Sequence, residues 1–141
     1  MLYVEYETAK TKYNRAREVY DSLIAEKEEL FQITQIHGMD YKVERVDGGI
    51  QKSSFDAYML KKEQTKIDER IAEAEDILKR RKEQLQTTEN ELVASSDISD
   101  KIYILKYLGN STKSQIAEKT GYSTSQVYRI LEKIEKKIRN L

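Results

Sequence analysis

Residues 113–132 read KSQIAEKTGYSTSQVYRILE, and their spacing predicts two short helices meeting across a tight turn. Ile116 and Ala117 fall on the first helix. Gly121 follows four residues after Ala117, where the chain has to reverse and a positive φ favours glycine. Val127 and Ile130 then fall on the inner face of the second helix. The small side chain of Ala117 lets the two helices cross closely. Ser111 or Thr112 is placed to cap the first helix and Ser123 the second, which extends to about Arg139. Spacing and residue type together make this a helix-turn-helix pattern. The side chains left facing outward are Thr124, Ser125, Gln126, Tyr128 and Arg129, which are of types that reach base edges or phosphates.

Such a motif also occurs as a plain packing solution in small helical domains. Charge separates the two readings. From Asp97 to Leu141 there are 9 Lys plus Arg against 5 Asp plus Glu, so this segment carries +4. The first 96 residues hold 16 against 20 and carry −4. A net charge of zero therefore hides a basic end, and a basic end beside a groove-sized helix suits a polyanion.

Upstream of the motif, Asp97 or Ser96 caps a further helix with Ile98, Ile102, Ile104, Leu105 and Leu108 as its apolar positions. Gly109-Asn110 ends it. Leu131, Ile134 and Ile138 extend the apolar face of the last helix back toward this helix or the coiled coil. Ala94-Ser95-Ser96 reads as the linker to everything before it.

The first 93 residues carry a different period. Leu2, Tyr6, Ala9, Tyr13, Ala16, Tyr20, Leu23 and Leu30 recur at steps of three and four, with Lys27 as a polar break. That is a heptad stripe on a charged helix, expected over residues 2–36. His37-Gly38 supplies a stop signal. Residues 37–53, with Gly38, Gly48 and Gly49 and an alternation of Tyr41, Val43 and Val46, read as a connector, a loop lying on the helices or a short extended segment. Ser53 or Ser54 is placed to cap a second long helix. On it Ala57, Leu60, Ile67, Ile71, Ala74, Leu78, Leu85 and Leu92 form the stripe, interrupted by Gln64, Arg81 and Thr88. Two helices with matching stripes pack most simply as an antiparallel hairpin. The expected fold is all-α. A long antiparallel helical hairpin, a coiled coil over 1–93, is followed by a small three-helix helix-turn-helix domain over 97–141. The seam is weak in places, which favours a homodimer that buries what one hairpin leaves exposed.

Composition narrows the chemistry. The chain has no Pro, no Trp and no Cys, and 35% of it is charged. Without proline, long uninterrupted helices are expected. Without cysteine there are no disulfides and no thiol chemistry, as suits a reducing cytoplasm. No apolar run approaches the roughly 20 residues of a membrane span. The start, MLYVEYETAK, lacks a basic segment followed by an apolar core, so no secretory signal is expected. The only histidine is His37, which reads as a partner of a helix C-terminus. There is no HExxH spacing, no phosphate-binding GxxxxGK[ST] loop and no Ser-His pair. Carboxylates such as Glu73, Glu75 and Asp76 read as a solvated helix face. No enzyme, metal site or cofactor is expected. The ten tyrosines invite base stacking, but Tyr6, Tyr13, Tyr20, Tyr103 and Tyr107 fall at seam or packing positions. Tyr128 alone projects from the recognition helix, and Tyr122 reads as packing under the turn.

Residues 111–139, STKSQIAEKTGYSTSQVYRILEKIEKKIR, resemble the helix-turn-helix of sigma-70 region 4. The whole arrangement, a coiled coil, a glycine-containing connector and this motif, resembles the ArpU/RinA-like late transcription regulators of phages from Gram-positive bacteria. The resemblance implies a phage-encoded DNA-binding regulator in the bacterial cytoplasm, acting on late-gene promoters. It also implies that Ser123, Thr124, Ser125, Gln126, Tyr128 and Arg129 face the major groove.

The resulting expectation is a sequence-specific regulator that binds double-stranded DNA. Gln126 reads adenine and Arg129 guanine. Ser123, Ser125, Thr112, Lys113, Lys133, Lys136 and Lys137 hold phosphates. The coiled coil pairs two such heads on half-sites one or more DNA turns apart. Two alternatives stand beside it. The hairpin is instead a protein-interaction module for RNA polymerase or another phage or host protein, or the chain is a small-terminase-like packaging subunit.

Overall fold

The computed structural model describes residues 1–44 and 50–141, and side chains for 1–33 and 57–141. Helix α1 spans Leu2–Glu44 and α2 spans Ile50–Ala94. They are followed by α3 (Ile98–Tyr103), a π-helical turn (Ile104–Leu108), α4 (Lys113–Thr120) and α5 (Thr124–Arg139). Among the described residues there is no strand. The fold is all-α, a helical hairpin with a small helix-turn-helix domain.

The connector is where the structure departs from expectation. Helix α1 continues through His37 and Gly38 to Glu44, and Ser53 and Ser54 lie inside α2. The expected connector at 37–53 is therefore helix at both ends. Residues 45–49, with Val46, Gly48 and Gly49, lie outside the described residues, as does the side chain of His37. One glycine inside a helix forfeits only about 1 kcal/mol relative to alanine. A helix of 43 residues absorbs that.

Packing also draws the division of the chain differently. Met1–Asn14 and Arg81–Leu141 form one compact unit, and Arg15–Arg80 forms a second. The helix-turn-helix segment thus shares its core with the open ends of both long helices, rather than beginning afresh at residue 97.

In the second unit the heptad stripe is the inward side except at Ala57, which is exposed. Leu30, Ile67 and Ala74 are buried, and Ala16, Tyr20, Leu23, Leu60, Ile71 and Leu78 are half-buried. Lys27, the polar break in the stripe, places Nζ 2.8 Å from Asp68 Oδ1 across the seam. Both side chains are about half exposed, so the pair sets register more than it adds stability; such pairs contribute about 0–1 kcal/mol. The seam is thin, and Val19, Phe31 and Ile77 remain exposed on these helices.

The first unit holds the main core. Tyr3, Tyr6, Leu92, Ile102, Tyr103, Ile116, Val127, Leu131 and Ile134 form one buried cluster. Tyr103 is its hub. Its ring stacks on Tyr3 with centroids 5.4 Å apart, stacks on Tyr107 at 4.9 Å and meets the edge of Tyr6 at 6.1 Å. The Tyr103 hydroxyl donates to Glu7 Oε1. Asp100 is the one buried carboxylate among the described residues, with 1% of its surface exposed. It accepts a hydrogen bond from the Tyr3 N–H at 3.0 Å and another from the Ser95 hydroxyl at 2.7 Å. An N–H in the first turn of a helix has no partner within that helix. Asp100 of α3 thus supplies to α1 the cap and the negative charge that a helix N-terminus favours. Ser95 also accepts from the Asp97 N–H at 3.2 Å. The expected linker is consequently a hydrogen-bonded corner.

Asp97 caps α3 by accepting from the Ser99 N–H. Gly109 and Asn110 end the π-helical turn in an unexpected division of labour. Asn110 takes the left-handed conformation, with φ 50°. At Gly109 space is tight, since a Cβ there would lie 3.1 Å from the Leu105 carbonyl oxygen.

Burial and the hydrogen bond to Glu7 push the Tyr103 phenol far above its ordinary value of 10.0. Burial first, then nearby carboxylates, also raises Tyr3, Tyr6 and Tyr107. A phenol with a raised folded pKa keeps its proton where the unfolded chain has lost it. The unfolded state then binds fewer protons, and stability falls as pH rises through about 10. Urea midpoints are expected to hold steady to about pH 9 and drop by about pH 11, with a smaller drop for Tyr103→Phe. An equal drop in both proteins would remove Tyr103 as the source.

Candidate nucleic-acid interface

Both helices of the motif begin with the same device. Thr112 Oγ1 accepts from the Gln115 N–H at 3.3 Å, and Gln115 Oε1 accepts from the Thr112 N–H at 3.0 Å. Ser123 Oγ accepts from the Gln126 N–H at 3.2 Å, and Gln126 Oε1 accepts from the Ser123 N–H at 3.1 Å. These are capping boxes with glutamine as the returning side chain. Between them Gly121 takes φ 76°, the left-handed conformation its position predicts, and its N–H closes on the Ala117 carbonyl at 2.9 Å. Ile116 of α4 and Val127, Leu131 and Ile134 of α5 are buried, and Ala117 and Ile130 are half-buried against them.

The outer face of α5 is free of the core. Thr124, Ser125, Tyr128, Arg129, Glu132 and Lys136 are all exposed, and their spacing puts them on one side of the helix. Two shallow grooves run along it. One, of about 520 Å³, is lined by Lys113, Thr124, Ser125, Tyr128, Arg129 and Glu132. The other, of about 460 Å³, is lined by Lys113, Tyr128, Leu131, Glu132, Glu135, Lys136 and Arg139. Lys113 and Tyr128 belong to both. The Lys113 ammonium sits 4.4 Å from the centre of the Tyr128 ring, a cation–π contact worth about 0.5–1 kcal/mol at an exposed site. It fixes a positive charge where the two grooves meet.

The structure therefore assembles Lys113, Thr124, Ser125, Tyr128, Arg129 and Lys136 into one surface. It redistributes the other residues the sequence pointed to. Gln126 is exposed but capped: the amide oxygen that would accept from adenine already accepts from Ser123. In this position it closes the capping box that starts α5. Thr112 and Ser123 are helix caps, with their hydroxyl oxygens occupied by backbone N–H groups. They stand at helix N-termini, whose first N–H groups have no partner within the helix and suit an anion. Lys133 and Lys137 are exposed but line neither groove. Lys137 Nζ lies 2.8 Å from Met1 Sδ, at the start of α1.

Glu132, Glu135 and Arg139 border the grooves without having been singled out by sequence reasoning. The signal was present: 132, 136 and 139 continue the three-four step that starts at Ser125 and Arg129. Among the described residues there is no group of carboxylates or histidines placed to hold a metal ion, and no helix is long and apolar enough to cross a membrane. Comparison with known proteins adds no relative: no family model, no curated protein and no solved structure matches this chain.

Proposed function

We propose that this protein is a sequence-specific DNA-binding regulator that lays α5 in the major groove. The observation that carries the reading is the exposed face of α5, where Thr124, Ser125, Tyr128 and Arg129 form a groove with Lys113 while the opposite face is buried. A helix with one face locked into a core and the other free and polar has the shape that the roughly 12 Å major groove admits. The excess of basic residues after Asp97 supports it. Arg129 reads guanine, Ser125 and Thr124 meet the groove floor or its rim, and Lys113 and Lys136 hold phosphates. The hairpin pairs two copies on a two-part site. The likeness to sigma-70 region 4 and to ArpU/RinA-like regulators favours a phage late-gene promoter as the target and RNA polymerase as a protein partner.

Binding to a random-sequence duplex, followed by fluorescence anisotropy, tests this. A pair of copies making six or more phosphate contacts loses roughly 1,000-fold in affinity between about 50 and 200 mM salt. No binding even at the lower salt would defeat the proposal. On a selected site, Arg129→Ala is expected to weaken binding by about 1–3 kcal/mol and relax one base position. Lys136→Ala should instead weaken all sequences alike and lower the salt slope by about 1. If Arg129→Ala left base preferences intact, the reading face would be misassigned.

A second reading rests on Val19, Phe31 and Ile77, which stay exposed on α1 and α2. It makes the hairpin a docking surface for a helix of a partner protein. DNA binding that is absent, with stable capture of RNA polymerase, would favour it.

A further inference from the structure

Glu132 is the one acidic side chain shared by both grooves on the α5 face. It is exposed, and among the described residues no ion pair joins it to Arg129 or Lys136. A carboxylate in a surface that is to meet phosphates opposes binding unless it meets a donor. In the major groove one base offers a donor with no acceptor beside it on its own edge: cytosine, through its N4 amino group. Glu132 stands one turn beyond Arg129 and roughly 12 Å along the axis from Thr124. A helix entering the groove by its N-terminus presents Arg129 first and Glu132 after it.

We infer that Glu132 is a specificity-determining residue that accepts a hydrogen bond from cytosine N4, next to the guanine read by Arg129. The inference rests on the DNA-binding reading. It explains how a recognition face with one arginine discriminates. Arg129 selects for an acceptor pair, and Glu132 selects against every base edge that presents only acceptors at its position. The carboxylate also penalises the chain on wrong sequences, because there it faces base acceptors and phosphates without compensation.

Selection of bound duplexes from a random pool, run on the full chain and on Glu132→Ala at the same salt, tests the assignment. The wild-type chain is expected to recover a cytosine at one fixed position near the guanine that Arg129→Ala loses. Glu132→Ala should lose the cytosine preference, by roughly five- to a hundred-fold per mismatched pair, keep the guanine and bind unrelated duplexes more tightly. Glu132→Gln, which keeps an acceptor and adds a donor, should admit adenine at the cytosine position. An exposed position leaves folding of these variants intact, which circular dichroism checks. If wild-type and Glu132→Ala chains recover the same preferences at every position, the assignment is wrong while the DNA reading stands. A wild-type chain that recovers no duplex overturns both.

Discussion

Tyr103→Ala is expected to lower the free energy of unfolding by about 3–5 kcal/mol, the range for removing a buried aromatic ring. Tyr103 is 1% exposed and touches three other tyrosine rings. Removing it takes the shared neighbour away from Tyr3, Tyr6 and Tyr107 together. Those rings come from α1 and from the π-helical turn, so the vacancy lies where the start of the chain meets its last third. Natural domains of this size are stable by only about 5–15 kcal/mol, and the variant should be close to unfolded at moderate urea. Tyr103→Phe keeps the rings and loses only the hydroxyl donated to Glu7, so about 1 kcal/mol is expected. Urea midpoints by circular dichroism for the three proteins check the order. A Tyr103→Ala midpoint equal to wild type would mean that the tyrosine cluster is not the core.

Asp100→Ala is expected to be the next most damaging change, by about 1.5–3 kcal/mol, as for hydrogen bonds to a charged group. The substitution strips the Tyr3 N–H of its acceptor at the start of α1 and the Ser95 hydroxyl of its acceptor at the corner before α3. Asp100→Asn keeps one of the two oxygens that accept from the Tyr3 N–H and the Ser95 hydroxyl, so the loss of charge at the helix N-terminus, about 0.5–1 kcal/mol, comes with the loss of one acceptor. The expected order is wild type, then Asn, then Ala. Protection of the Tyr3 amide from hydrogen exchange is the local readout, and it should fall in the alanine variant. Unchanged protection there would show that Asp100 does not hold α1.

Much of this architecture was legible in the sequence because it is local. Apart from Ala57, which is exposed, the residues of the heptad stripes turn inward, and Lys27, which broke the stripe, proved to be an ion-pair partner. Ser123, Gly121 and the end of α5 near Arg139 followed from caps and spacing. What stayed hidden depends on contacts far apart in the chain. Tyr3 lies off the stripe beside Leu2, and only the docking of α3, 97 residues away at Asp100, buries it. Helix ends at Gly38 and Ser53 were misplaced because a stop signal is a small local preference, which a long helix outweighs. Gln126 is instructive in another way. Its side-chain type suits adenine, but its place three residues after Ser123 suits a capping box. Spacing alone does not say which partner holds the amide, and in the structure its oxygen accepts from the Ser123 N–H. Glu132 and Arg139 were readable from the helical period, once the exposed face was extended past Arg129.

The exposed side of α5 is proposed to lie on duplex DNA, and crosslinking tests it directly. The chain has no cysteine, so a single substitution carries the only thiol for a photo-crosslinker. Ser125→Cys places it on the exposed face of α5, and Thr87→Cys places it on the exposed side of α2. With a bound duplex, efficient crosslinking from Ser125→Cys and little from Thr87→Cys is the predicted result. DNA that binds but crosslinks from Thr87→Cys and not from Ser125→Cys would contradict the account.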